Sequence, residues 1–180
     1  VWINKSGGVY DSNSRTITWK IEVNPEYQPL DNTIVITDTL DTYLTYNSDS
    51  LSITKYTSKT DTVGANAISE FTVPAAGATT LNFSLTSPAE PYNGRYEIQF
   101  TTTVKDGYFY TNKTSIGNNA TINGDGIYGT SGTSVNVSAG VGVGVVDKSY
   151  AGGYDVNNRL FTWDIVVNKN KVAIADPVVI

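Results

Sequence analysis

A lysine, an aspartate and an asparagine in this chain are placed so that they should meet inside a protein core. Lys5 shares alternate-residue parity with Val1 and Ile3, Asp38 with Ile34, Ile36 and Leu40, and Asn118 with Ile116, Ala120 and Ile122. Side chains on a strand alternate between faces, so each polar group falls on the apolar face of its own strand. A buried amine, carboxylic acid and carboxamide are each costly unless they satisfy one another. Burial lowers the pKa of a lysine and raises that of an aspartate, by as much as roughly 3–5 units. An unprotonated Lys5 carries a lone pair for attack on the Asn118 carbonyl carbon. A protonated Asp38 can donate to the carbonyl oxygen and shuttle protons. The product would be a Lys–Asn isopeptide cross-link with ammonia as the leaving group. The site is consumed in one turnover, so this is self-modification and not steady-state enzyme activity. The same pattern also fits a plainer alternative, a buried Lys5–Asp38 salt bridge.

The elements that must position these residues read as strands. Ile17, Trp19, Ile21 and Val23 alternate with Thr18, Lys20 and Glu22; Tyr96, Ile98, Phe100, Thr102 and Val104 alternate with polar residues; so do Leu81, Phe83 and Leu85. Turn chemistry separates the runs at Asp11–Ser14, Tyr92–Gly94, Asp106-Gly107 and Asn123–Gly126. No stretch carries a convincing helical period, although Asn66–Glu70 suits one short turn. Short strands with regular turns predict an all-β, two-sheet sandwich.

The chain also repeats itself. YDSNSRTITWKIEVN at Tyr10–Asn24 matches YDVNNRLFTWDIVVN at Tyr154–Asn168, with Trp19 and Trp163 144 residues apart. The match runs back to INKS against VDKS, with one inserted residue, and forward to TIVI against PVVI. One whole unit over residues 1–140 is therefore expected, then a linker and the start of a second unit over 141–180. Both tryptophans are expected in sandwich cores. Lys148 aligns with Lys5 but has no aligned partner before Ile180, so it should stay unreacted. Residues 146–180, whose strands carry Phe161, Trp163, Ile165 and Val167 on one bare face, should dock on the first unit or a neighbouring chain, or be mobile.

Composition removes several function classes. Among 180 residues there is no Cys and no His, which excludes disulfides, thiolate metal sites and the commonest general base. A net charge of −5 argues against nucleic acid as a partner. No apolar run is long enough for membrane insertion and no signal peptide is present, so the ends read as cuts in a longer chain. No cofactor is implied. Gly140–Gly144 lacks the helix and Lys-Ser/Thr of a phosphate loop, and Asp106 and Asp125 lack the acidic string of a calcium loop. Formal glycosylation sequons at Asn4, Asn82, Asn112, Asn119 and Asn136 read as chance in so Asn- and Thr-rich a chain.

Four strings in order, ITWKIEVN, VITDTLDTYLTY, RYEIQFTTTV and GNNATING, resemble the collagen-adhesin domains of Gram-positive surface proteins. The resemblance covers residues 1 to about 140 and restarts near Val146. It implies an immunoglobulin-like sandwich with an internal Lys–Asn cross-link: Lys5 as amine, Asp38 of the TDTL string as acid, and Asn118 as carboxamide. The asparagine is doubled as Asn118-Asn119, and parity selects Asn118, since Asn119 and Thr121 face the other way. It further implies an extracellular, cell-wall-anchored adhesin that is either a mechanical stalk among neighbouring repeats or a binder of host matrix such as collagen. Tandem repetition leans towards the stalk. A different class stays open, a carbohydrate-binding or accessory module of a secreted hydrolase. That reading needs a planar row of exposed aromatics, for which Tyr43 with Tyr46, or Tyr108 and Tyr110 beside Phe109, are candidates.

Overall fold

Trp19 shows how the alternation becomes a core. It is fully buried with Ile17, Ile21 and Val23, while the residues between them keep partial exposure. Its indole Nε1 donates to Thr102 Oγ1 at 2.9 Å, so the one polar atom of the ring is satisfied in the interior. The computed structural model describes residues 2–30, 34–86, 93–124, 133–142 and 146–174.

In chain order the strands are β1 (Ile3–Asp11), β2 (Thr16–Val23), β3 (Ile34–Leu40), β4 (Leu44–Tyr56), β5 (Ala65–Asn66), β6 (Phe71–Thr72), β7 (Thr80–Leu85), β8 (Arg95–Val104), β9 (Ser115–Gly124), β10 (Thr133–Gly140), β11 (Val146–Tyr150) and β12 (Trp163–Val167). Two short 3-10 helices, Ile68–Glu70 and Asp106–Tyr110, interrupt them. Ile68–Glu70 is the single turn expected near Asn66. The Asp106-Gly107 turn is instead the first half of the second 3-10 helix. All described pairings are antiparallel.

One sheet has the order β1-β2-β8-β4-β5 and the other β10-β9-β3-β7-β6. Their inner faces supply the core, including Ile36, Leu81, Phe83, Tyr96, Ile98, Phe100 and Ile122. This is the two-sheet sandwich that the strand pattern predicts, of the immunoglobulin-like kind that the resemblance implies. The edge strands β1 and β10 lie close together and close one side of it. Beyond Ser6 the β1 register shifts at a bulge between Gly7 and Val9. Gly7 has φ +96°, and a Cβ there would sit 2.5 Å from the Thr18 carbonyl oxygen, so the bulge requires glycine.

The β11–β12 hairpin forms a separate two-stranded sheet. Its register repeats that of β1–β2: Ile3 opposes Val23, Lys5 opposes Ile21 and Ser6 opposes Lys20, as Val146 opposes Val167, Lys148 opposes Ile165 and Ser149 opposes Asp164. The positive-φ residues repeat too, with Arg15, Asn24 and Tyr27 matched by Arg159, Asn168 and Lys171. One expectation fails here. Trp163 is 52% exposed and Ile165 48%, because no described residue covers their face of the lone hairpin as the opposite sheet covers that of Trp19. Val1, Tyr92, Asp125 and the aligned TIVI and PVVI ends fall wholly or partly outside the described residues.

Candidate functional site

Three strands from both sheets converge on one buried point. On β3, Asp38 opposes Ala120 of β9, and Asn118 lies two residues along β9 on the same face, opposite Leu40. Such diagonal neighbours on adjacent strands bring side chains into reach of one another. Lys5 enters from β1, in the facing sheet. Its ammonium nitrogen pairs with Asp38 Oδ2, and both side chains are completely buried. The lysine residue as a whole keeps some exposure, which belongs to its edge-strand backbone. Its Nζ also sits 5.5 Å from the Trp19 ring centre and 5.9 Å from that of Phe100, so aromatic faces wall the amine.

Burial dominates the acid–base state of this pair. It pushes the Lys5 amine down from its ordinary range, and the Asp38 charge and hydrogen bond oppose that shift without cancelling it. It pushes the Asp38 carboxyl up, opposed first by the Lys5 charge and least by Asn118. Both directions favour a neutral amine beside a neutral acid. Asn118 is 1% exposed and close enough to affect Asp38, yet its Nδ2 and Oδ1 reach no hydrogen-bond geometry, nor does Asp38 Oδ1. A buried carboxamide without a hydrogen bond is costly. Here it sits beside Asp38, which in turn pairs with Lys5. Asn119 is half-buried on the opposite face of β9. Lys148 lies on the exposed hairpin, 4.6 Å from the Trp163 ring centre, away from these three residues.

A second buried lysine escaped the sequence reading. Lys55 donates to Glu70 Oε2 at 3.3 Å, and the Tyr96 hydroxyl donates to the same oxygen at 2.9 Å. Burial and the Glu70 carboxylate push the Tyr96 phenol far above its ordinary range. Lys55 shares parity with Leu51 and Ile53, the same signal that marks Lys5. Its acceptor comes from a 3-10 helix, where no period announces a buried carboxylate.

The tyrosine clusters proposed for ligand binding are mostly interior. Tyr46, Tyr108 and Phe109 are buried, and Tyr108 meets Tyr43 edge-on at 5.8 Å. The 3-10 helix at Asp106–Tyr110 folds these rings onto the end of the sandwich and leaves Tyr110 exposed. Asp106 pairs with Arg15 at 2.6 Å. Among the described residues no group of three or more acidic side chains could hold a metal ion, and no helix is long and apolar enough to cross a membrane.

Residues 2–131 match the family model described as the collagen binding domain. The fold is similar to the collagen binding subdomain of the Enterococcus faecalis surface protein ACE, at 13% identity and TM-score 0.59, over 77% of this chain and 94% of that one. It is similar to the collagen-binding domain of a Staphylococcus aureus adhesin, at 16% identity and TM-score 0.58, over 78% and 98%. A fragment of the major pilin GBS80 of Streptococcus agalactiae matches at 12% identity and TM-score 0.52, over 83% and 57%. A search of curated proteins finds no match.

Proposed function

Because the chain belongs to the collagen-binding domain family, we propose that it is an adhesin module of a bacterial surface protein, closed by a Lys5–Asn118 isopeptide bond and acting as a stalk or as a binder of a collagen-like matrix ligand. The observation that carries the cross-link is the buried Lys5–Asp38 pair beside the unpartnered Asn118 carboxamide. The Lys5 lone pair adds to Asn118 Cγ while Asp38 protonates Oδ1. Asp38 then takes the surplus proton from Nζ and delivers one to Nδ2. The Cγ–Nδ2 bond breaks, ammonia leaves, Oδ1 returns its proton to Asp38 as the carbonyl re-forms, and an Nζ–Cγ amide remains. One amine and one primary amide become one secondary amide and one ammonia, with no oxidant and no cofactor. The bond would tie β1 of one sheet to β9 of the other, near the two ends of the unit.

Within this reading, a stalk role is favoured by the repeat, whose register and positive-φ positions return in the second unit. The carbohydrate-module alternative loses its support, because most of the candidate aromatics are buried. Intact mass tests the cross-link: a mass lower than the sequence by one ammonia, about 17 Da by the stoichiometry of the condensation, is expected, and the unmodified mass overturns it. Equilibrium binding to immobilised fibrillar collagen tests the ligand separately. Saturable binding is expected of a binder, and its absence in a cross-linked protein leaves the stalk.

A further inference from the structure

The second unit is exposed along its whole hairpin but not at the loop that follows β12. From residue 146 to 167 every residue is exposed, whereas Asn170 is 5% exposed and Val172 6%. What covers them is the end of the first unit and the linker that follows it, with Val172 in the same apolar cluster as Phe109 and Val141. The Tyr10 hydroxyl donates to Asn170 Oδ1 at 2.9 Å, and Asn170 Nδ2 donates to the Gly142 carbonyl at 2.7 Å. Arg15 Nη1 donates to the Lys171 carbonyl at 3.3 Å, Lys171 Nζ to the Asn13 carbonyl at 3.1 Å, and the Tyr110 hydroxyl to the Ala173 carbonyl.

Both surfaces are held in shape before they meet. Arg15 is fixed within the first unit by Asp106, by the Val104 carbonyl at 2.9 Å and by the Phe109 ring. The loop is fixed by its own asparagine: Asn168 donates to the Val172 carbonyl at 2.9 Å and accepts from the Val172 amide at 2.8 Å. Asn24 holds Gln28 in the same way in the first unit. There the matching positions Glu26 and Gln28 are exposed. The loop therefore does not bury positions 170 and 172 by its own folding; contact with the neighbouring unit does. Preorganised surfaces lose little entropy on docking.

We propose that the loop at 168–173 is a docking surface whose partner is the preceding unit of the same chain, and that it sets a fixed angle between successive units. Tyr10, Arg15 and Tyr110 form the receiving face. Around the buried Val172 the joint is polar, so it holds direction through hydrogen bonds. Each bond removed should shift the docked-to-undocked ratio by about three- to tenfold.

The chain has no cysteine, which leaves it clean for spin labels at Thr60→Cys in the first unit and Ser149→Cys on the exposed hairpin. Pulsed dipolar spectroscopy on the 180-residue chain should give one narrow distance. Tyr10→Phe and Tyr110→Phe, which remove only hydroxyls from the stable unit, should broaden it together, and Asn170→Ala should broaden it further. A broad distribution in the unsubstituted chain overturns the joint, and so does a narrow one that all three substitutions leave unchanged. The cross-link is read from mass and this joint from distance, so either can fail alone.

Discussion

Lys5 opposite Ile21 in β1–β2 and Lys148 opposite Ile165 in β11–β12 occupy equivalent places in two hairpins of matching sequence. Both approach the tryptophan that follows them in the repeat. The turns agree as well: Asp11 accepts from the Asn13 amide, and Asp155 accepts from those of Asn157 and Asn158. The Ser14 hydroxyl on Asp11 and the Asn158 side chain on Asp155, helped by these amides, hold both carboxyls below their ordinary range. Yet Trp19 is fully buried and Trp163 is 52% exposed. Burial pushes the Lys5 amine down, and Lys148 sits in the open. Local sequence suffices for the hairpin, its register and its turn. It does not suffice for the chemistry, because the amine is altered by what covers it and not by the strand that carries it.

The largest expected contrast is covalent. Asp38→Ala and Asn118→Ala should each abolish the cross-link, with the full mass restored and stability lowered by on the order of 4 kcal/mol, as for a disulfide closing a loop of this size. Lys148→Ala should change neither mass nor unfolding midpoint. A tryptic Lys148 peptide found cross-linked would erase the contrast between the two hairpins.

The tryptophans sharpen it next. Trp19→Ala should cost about 3–5 kcal/mol in denaturant unfolding, through lost burial, a cavity and an orphaned Thr102 hydroxyl. Trp163→Ala should stay within about 0.5 kcal/mol, as surface substitutions do. Equal losses would show that the second hairpin has an interior in solution.

A third contrast lies in pH. Lys5→Met removes the charge that most opposes the upward shift of Asp38 and leaves the burial in place. The folded state then holds a proton that the unfolded chain releases near pH 3.8, the ordinary value of the carboxyl. Stability should therefore fall as pH rises above about 4, by about 1.4 kcal/mol for each pKa unit of upward shift. Denaturant midpoints at pH 4 and pH 7 measure it. Lys148→Met should show no such slope, and a flat profile for Lys5→Met would mean that water reaches Asp38.

The smallest effect belongs to the left-handed residues. Arg15 and Arg159 both have φ +57°. Arg159→Gly should slow amide exchange in the β11–β12 hairpin by relieving about 1 kcal/mol of backbone strain. Arg15→Gly should lose more than it gains, since the Arg15 side chain holds Asp106, Val104 and Phe109.

The alternation around Trp19 and Phe100, and the parity of Lys5, Asp38 and Asn118, were legible because a strand has a period of two and an interior has one sign. That period also separates Asn118 from Asn119. The same logic applied to Lys55 marks a second buried amine, but its partner Glu70 lies on a short 3-10 helix without a usable period. Tyr108 and Phe109 misled for that reason: a five-residue helix turns them inward where their sequence reads as a loop.

By itself, then, the sequence determined which residues alternate, where the chain turns, which side chains share a face, and that Tyr10–Asn24 would be built again at Tyr154–Asn168. These are local consequences of sterics and side-chain hydrogen bonds. Only the tertiary structure decided that Lys5 from one sheet meets Asp38 from the other with Asn118 beside that aspartate, that Trp19 is covered and Trp163 is not, and that the loop at 168–173 rests on Tyr10 and Arg15. Those outcomes depend on distant strands arriving at one place, and desolvation, which shifts the lysine and the aspartate, exists only once they have.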